Sequence, residues 1–418
     1  MTYDITLLRL TILPCERDGS PGPRAVAPAD KVCDTAVHPS PASASRLGDK
    51  GRRLRAAIHL LLYVGTALLL ASCRTPGHLF VAPTGSDDNP GTRAAPFATI
   101  ARADAAATAG ATIHVAPGIY KVAAPSIRSV GIRTVKNGSS AARIRFVSEE
   151  KWGAKIVFSG AGIAWRSEGM YVDIDGFDIS GSGRIGILAT GGDERITNNF
   201  IHDLEVSGGC NGSGGAGIDA WGPRGGAIID SNVVRNIGLQ WLAGRKCNTV
   251  QGIYLTNRNN RVSNNIISGV ASVGINSWHG ATDSTIVNNT IFHSKMGIVI
   301  GQGDSGATEK GNANNYVASN IVYGNGHGIT ELGKVGAGNR YVNNVVYSND
   351  TNWRVKGYVV GNIAADPLFI SYAPDGTGDY RLRADSPAKG RGARIHLHVA
   401  GGAPGMNSPE GDSGVSEE

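Results

Sequence analysis

Three features of the sequence predict an all-β chain wound as a single-stranded right-handed parallel β-helix with a short N-terminal capping helix. A phrase of the form V-x-N-N-x-I recurs, a second phrase, Gly-Ile, follows most copies, and glycine supplies 59 of 418 residues while charged (18%) and aromatic (6%) residues are sparse. That glycine share is about twice the usual one and has no G-X-Y register, so it is not collagen-like. A hydrophobic share of 41% suffices for a packed core and excludes a wholly disordered chain. Forty basic against 34 acidic residues give a charge of +6 that is not clustered. No nucleic-acid partner is expected from it.

At the front, Arg52, Arg53 and Arg55 precede an apolar run from Ala56 to Leu70 that ends in Leu70-Ala71-Ser72-Cys73. A charged flank, a short apolar stretch and small residues describe a secretory signal. The run carries His59 and falls short of the roughly 20 residues of a membrane span, which is the competing reading. Its ending resembles the lipobox of bacterial lipoproteins. The resemblance implies lipidation of Cys73 with cleavage just before it. Arg74 stands where an aspartate would mark inner-membrane retention, which implies an outer-membrane or cell-surface lipoprotein; without the lipid, the chain would be secreted or periplasmic. Residues 1–72 are thus read as leader and signal peptide, with 1–50 an over-extended start, and 73–79 as a linker.

Residues 80–125 are read as the cap and first coil. Phe80-Val81 leads into a turn at Gly85–Gly91, Ala98–Ala107 reads as a short helix, and Thr112–Val115 and Gly118–Tyr120 begin the winding. Solenoids need such caps because their ends expose core.

Residues 126–365 form the β-helix. The Asn phrase occurs at Ile196–Ile201, Val262–Ile267, Ile286–Ile291, Val317–Val322 and Tyr341–Val346, with a variant at Asp230–Val234 and a degenerate copy at Val172–Ile179. The steps from Gly176 to Asn199 and from Asn265 to Asn289 are 23 and 24 residues, and insertions stretch others to 31 or 33. A unit this short cannot bury its own apolar residues, so stacked units must. Inward Ile and Val alternate with outward polar residues. The repeated Asn suits a left-handed corner, and its amide can bond its equivalent one coil away, so it is read as structural. Asp366–Phe369 and Asp379–Leu382 read as closing strands within 366–395, and 396–418 as a disordered tail.

Among the five cysteines, Cys15 and Cys33 fall in the leader and Cys73 is the lipid site. Cys210 and Cys247 remain, an even pair in an exported chain. They precede Gly217 and Gly252 by similar offsets on adjacent coils, which predicts a disulfide stiffening two inserted loops. Neither has the His/Cys company zinc needs.

Two residues past each Gly of the Gly-Ile phrase stand Leu188, Asp219, Tyr254, Asn276, Val299 and Thr330; two further on stand Thr190, Trp221, Thr256, Trp278, Gly301 and Leu332. Coils about 4.8 Å apart would align Asp219, Tyr254 and Asn276 in one polar column. Trp221 and Trp278 beside it offer apolar faces suited to sugar rings. The candidate catalytic set is therefore Asp219, Tyr254, Asn276 and His279.

The cap, both repeats and the ending Gly378-Asp379-Tyr380-Arg381-Leu382…Ser386-Pro387-Ala388 together resemble right-handed parallel β-helix proteins of the pectin-lyase-like superfamily. The front segment looks like the N-terminal domain of unknown function found on family-9 polysaccharide lyases. The resemblance spans about residues 79–390 and implies a polysaccharide partner met in a groove on the Gly-Ile sheet. It also implies a calcium-binding aspartate cluster beside a lysine. No such cluster is legible: Asp219 is the only carboxylate at the third position of the Gly-Ile strands, and Asp87-Asp88-Asn89 reads as a turn. Calcium thus has no clear site and no cofactor is assigned. A monomer is expected.

Eliminative cleavage of a uronate needs a base for the C5 proton and a neutraliser for the adjacent carboxylate. Tyr254 or His279 could serve as base, and Asn276, Lys246 or Arg258 as neutraliser. Hydrolysis would need two carboxylates roughly 5 to 9.5 Å apart; Asp304 and Glu331 lie further along the stack, and Glu331 has inward parity. A surface glycan-binding or structural solenoid would need neither. The plainer readings are that His279 is an ordinary loop imidazole, that the tryptophans cover core edges, and that Asp219 is a hydrogen-bonded turn residue.

Overall fold

The computed structural model describes residues 77–206, 209–211, 213–242, 246–303 and 311–393, all within one compact unit, Cys73–Glu418. The leader, Cys73, Asp304 and the tail beyond 393 lie outside the described residues.

Three parallel sheets form the walls of a continuous spiral. The first wall has eleven strands, from His78–Val81 to Tyr358–Val360. The second has nine, from Gly118–Ala124 to Val345–Tyr347, and the third has nine, from Val130–Thr134 to Thr351–Arg354. The chain visits first, second and third walls in turn, so each strand pairs with its equivalents one coil away. The chain is a parallel β-helix.

Apolar alternation dictates the core. Ile196, Ile229, Val262, Ile286 and Val317 of the first wall stack on one another at 0% exposure, as do Ile218, Ile253, Ile275, Ile298 and Ile329 of the third. The Gly of the Gly-Ile phrase is explained by close approach. A Cβ at Gly274 would lie 2.4 Å from Ile291 Cγ2 and 2.8 Å from the Gly297 carbonyl oxygen. Only a hydrogen there lets the third wall meet the second-wall isoleucines.

The Asn-Asn corner between first and second walls divides its labour between two residues. The first of each pair (Asn198, Asn264, Asn288, Asn343, with Ser231 and Ser319 in the variant copies) takes the left-handed conformation, φ 54 to 57°. The second is buried and builds the ladder. Asn199, Asn232, Asn265, Asn289, Asn320 and Asn344 each donate Nδ2 to the Oδ1 of the next, the last to Asn362, at 2.8–3.1 Å. Each also donates to a carbonyl of the preceding coil, as Asn265 does to Ile229. Two shorter ladders, Ser294–Asn325–Asn349 and Ser284–Asn315–Asn339, serve the other corners.

Helix α1, Ile100–Ala106, covers the front of the core with Ile100 and Ala103. Thr99 caps it, and its buried Asp104 accepts the Val135 amide at 2.8 Å, tying cap to first coil. Asp87 accepts the Ala98 and Thr99 amides and the Thr99 hydroxyl, so the acidic turn braces the cap.

The strands Phe369–Ser371 and Asp379–Leu382 form an antiparallel hairpin that lies along the second wall. Tyr372 and Tyr380 pack on Phe292, and Tyr372 and Phe369 on Tyr323. These strands thus cover a side of the spiral.

Candidate functional site

The third wall brings together what the sequence placed at one register position. Leu188 pairs with Asp219, Asp219 with Tyr254, Tyr254 with Asn276, Asn276 with Val299 and Val299 with Thr330. The column continues frontward through Arg166 and Arg133.

Apolar patches flank its polar centre. On one side Ile163, Ile185 and Leu188 cluster with Val130; on the other Val273, Met296 and Val299 cluster with Trp278 and Leu332. Trp278 therefore rests on its own wall, with Gly301 leaving room for its ring. That is the core-edge role; the exposed tryptophan is Trp221, at 54%.

Tyr254 and His279 meet. The tyrosine hydroxyl lies 3.0 Å from His279 Nε2. His279 reaches back because it adopts φ 55° in the turn after Trp278, closed by the Ala281 amide on the Trp278 carbonyl. Its left-handed backbone aims the ring at the preceding coil.

Exposure differs from expectation. Asp219 and Asn276 are 7% and 5% exposed, so these short side chains on either side of Tyr254 scarcely reach solvent. Asp219 Oδ1 and Asn276 Oδ1 find no hydrogen-bond partner among the described residues. Burial pushes the Asp219 carboxyl up to about 7, against a weaker opposing pull from Arg184. Asp219 is thus not the hydrogen-bonded turn residue of the plainer reading.

Arg184, just ahead of the strand Ile185–Ala189, is the cation the sequence reading missed. Its only signal was its place in a Ser-Gly turn before a Gly-Ile strand. Arg258 lies instead in the corner after the wall, exposed, where its carbonyl accepts the Gly226 amide. Lys246 is exposed on the inserted loop beside Cys247. Neither is brought to the column by the strand register.

The inserted loops edge the wall. The Cys210–Cys247 disulfide joins them with Cα atoms 4.9 Å apart. Cys247 is buried in the main core, Trp241 Nε1 donates to the Val206 carbonyl at 3.2 Å, and Lys295 Nζ donates to the Cys247 carbonyl at 2.9 Å. Burial lowers the Lys295 pKa.

Glu331 is committed to structure: it accepts the Tyr341 hydroxyl at 2.8 Å and the Lys356 amide at 2.7 Å. Glu168 is bound by Arg133 and Arg166 and lies two coils from Asp219, roughly 12 Å by strand spacing and rise. Among the described residues no three His, Cys, Asp or Glu side chains converge as a metal site requires. The donor set implied for calcium by the family resemblance does not form there.

Comparison with known proteins agrees with the architecture. Residues 83–126 match the family described as "protein of unknown function (DUF1565)". No curated protein matches the sequence. Among solved structures, the pectate lyase Pel9A is similar at a TM-score of 0.57 and 17% identity, over 78% of this chain and 94% of that one. An alginate lyase from Paenibacillus sp. str. FPU-7 aligns at a TM-score of 0.42 and 15% identity, over 64% and 96%. The likeness to Pel9A, at 17% identity, establishes the shared fold.

Proposed function

We propose that this chain is an extracytoplasmic carbohydrate-active protein that binds an acidic polysaccharide along the third wall and cleaves it by β-elimination. The observation that carries the reading is the Tyr254–His279 pair, 3.0 Å apart, at the polar centre of a wall whose flanks are apolar. One structural neighbour is by its title a pectate lyase, and it supports the substrate class. The disulfide supports an oxidising compartment. The lipid on Cys73 and an outer-membrane location belong to the same proposal.

In the reaction, the Tyr254 oxygen takes the C5 proton of a bound uronate while His279 accepts the phenolic proton. The C5 electrons form the C4–C5 double bond, and the C4–O glycosidic bond breaks. The leaving oxygen receives its proton back from the same pair. Asp219, largely uncharged below pH 7, adds little repulsion beside an anionic substrate, and Asn276 offers its amide N–H groups to the developing charge. Trp221 supplies an exposed apolar face for a neighbouring sugar. Hydrolysis is disfavoured because Glu331 is held by Tyr341 and the Lys356 amide and Glu168 lies roughly 12 Å from Asp219, beyond the separation two hydrolytic carboxylates need.

The test is to incubate the protein with a panel of uronate polysaccharides and follow ultraviolet absorbance. Elimination leaves a conjugated, absorbing sugar end, and Tyr254→Phe should reduce the rate about 100- to 10,000-fold. New reducing ends without absorbance would point to hydrolysis. Binding with neither signal would make the wall a glycan-binding surface. Full activity in both Tyr254→Phe and His279→Ala would remove the site.

A further inference from the structure

The first wall carries guanidinium groups that no carboxylate among the described residues grips directly, although Asp173 stands beside Arg195 in the same column. In one outward column Arg195, Ile228, Arg261 and Thr285 stand on successive coils, followed by Tyr316, Arg340 and Tyr358. Arg195 and Arg261 are half-buried and Arg340 is exposed. Among the described residues none of the three makes an ion pair or a side-chain hydrogen bond, and the Nε atoms of Arg195 and Arg261 are buried without a partner.

Carboxylates are close by, yet they are occupied. Asp173 holds Arg143 at 2.6 Å. Asp175 accepts the Thr197 hydroxyl at 2.6 Å and Asn198 Nδ2 at 2.8 Å. Asp230 accepts Ser231 Oγ at 2.8 Å, Asn264 Nδ2 at 2.9 Å and Ser263 Oγ. Burial lowers the Arg261 pKa; attraction to Asp230 opposes it, and a weaker repulsion from Arg195 adds to it.

We propose that the outer face of the first wall is a second binding surface, for an extended acidic polysaccharide. Arg195 and Arg261 are two coils apart, about 10 Å. An extended pyranoside unit advances by about one coil, so the carboxylates of alternate uronate units would fall at both guanidinium groups, which grip carboxylates bidentately. Ile228 and Thr285 meet the sugar faces in between. Further along, Arg340 lies between the Tyr316 and Tyr358 rings, 5.9 and 5.6 Å from their centroids, adding aromatic faces to the same track. Nucleic acid fits less well. Duplex DNA carries a charge every ~1.7 Å, far denser than this column.

The surface stands independently of any chemistry on the third wall, and its test separates the two. Binding of the full chain to polygalacturonate is measured at low and at physiological salt, with a neutral galactan as control. Arg195→Gln/Arg261→Gln should lose about tenfold in affinity and show a flatter salt dependence, while Trp221→Ala, altered only on the third wall, should keep this component. Thr285→Glu, which leaves every native arginine in place, should weaken binding similarly, and Arg195→Lys/Arg261→Lys should retain most of it. Unchanged binding in both the glutamine pair and Thr285→Glu would overturn the proposal. So would tighter binding of a single-stranded oligodeoxynucleotide than of polygalacturonate through the same arginines.

Discussion

The Asn corner and the third wall both bury polar side chains, and they treat them in opposite ways. At the corner every amide of the ladder donates twice and accepts from the coil before it, so each buried group is matched by a neighbour of the same kind. On the third wall Asp219 Oδ1, Asn276 Oδ1 and Thr330 Oγ1 are buried without partners among the described residues. Repetition explains the contrast. A side chain repeated on every coil meets its own complement, whereas a wall whose column changes from Leu188 to Asp219 to Tyr254 to Asn276 has no repeated partner to offer. Unmatched buried polarity lowers stability and is retained where it serves chemistry.

That contrast can be broken at its strongest point by Asn265→Ala. The change strands the backbone and side-chain N–H groups that Asn232 aims at Oδ1 and removes the donor to the Ile229 carbonyl, at about 1–3 kcal/mol each, while Asn289 Oδ1 keeps the backbone N–H of residue 265; a loss of roughly 3–6 kcal/mol is expected in denaturant unfolding. A near-neutral result would mean that the ladder is not what holds the corner.

Asp219→Asn should act with the opposite sign. The folded chain keeps the Asp219 proton to about pH 7, while an ordinary aspartate loses it near 3.8. The folded state therefore binds more protons between those values, and stability falls as pH rises through that window before levelling off. Removing the carboxyl should abolish that slope and stabilise the protein above pH 7 by up to about 4 kcal/mol. Melting temperatures from pH 4 to 8 measure it, and a slope that persists in the variant would locate the titration elsewhere.

Cleaving the link between the inserted loops tests whether the third wall depends on its edge. Cys210→Ser/Cys247→Ser should cost about 2–4 kcal/mol, with glycan affinity at the third wall falling as well. Loss of stability with affinity intact would confine the disulfide to the core.

The smallest effect belongs to the second wall. His202 lies between Asp178 and Asp203, at 2.9 and 2.7 Å, and stacks on Phe200. Burial works to lower its pKa, but the two carboxylates outweigh it and the net shift is upward. Its contribution, ~1 kcal/mol, is complete below the ordinary histidine value of 6.5 and is lost as pH rises through the raised one. His202→Gln should therefore destabilise in acid and hardly at all in alkali, as paired melts would show.

Much of this was legible in the sequence because it repeats. The Asn and Gly-Ile phrases carry the period, and the period carries the register that aligns Asp219, Tyr254 and Asn276. The division of the corner into a turning Asn and a bonding Asn was not legible, since both read as the same letter. Nor was Arg184, which belongs to neither phrase. The first-wall arginines went unweighed because their significance lies in which carboxylates are already taken, and neighbouring coils decide that.

Short-range pattern was sufficient for the winding and the paired cysteines, because a parallel stack converts sequence period directly into contact. How deeply each outward residue is buried, that His279 bends back onto Tyr254, that Trp278 lies down while Trp221 stands exposed, and which guanidinium groups are left without a direct carboxylate contact among the described residues were settled in three dimensions. Each depends on the length and direction of side chains one and two coils away, and no periodicity encodes those.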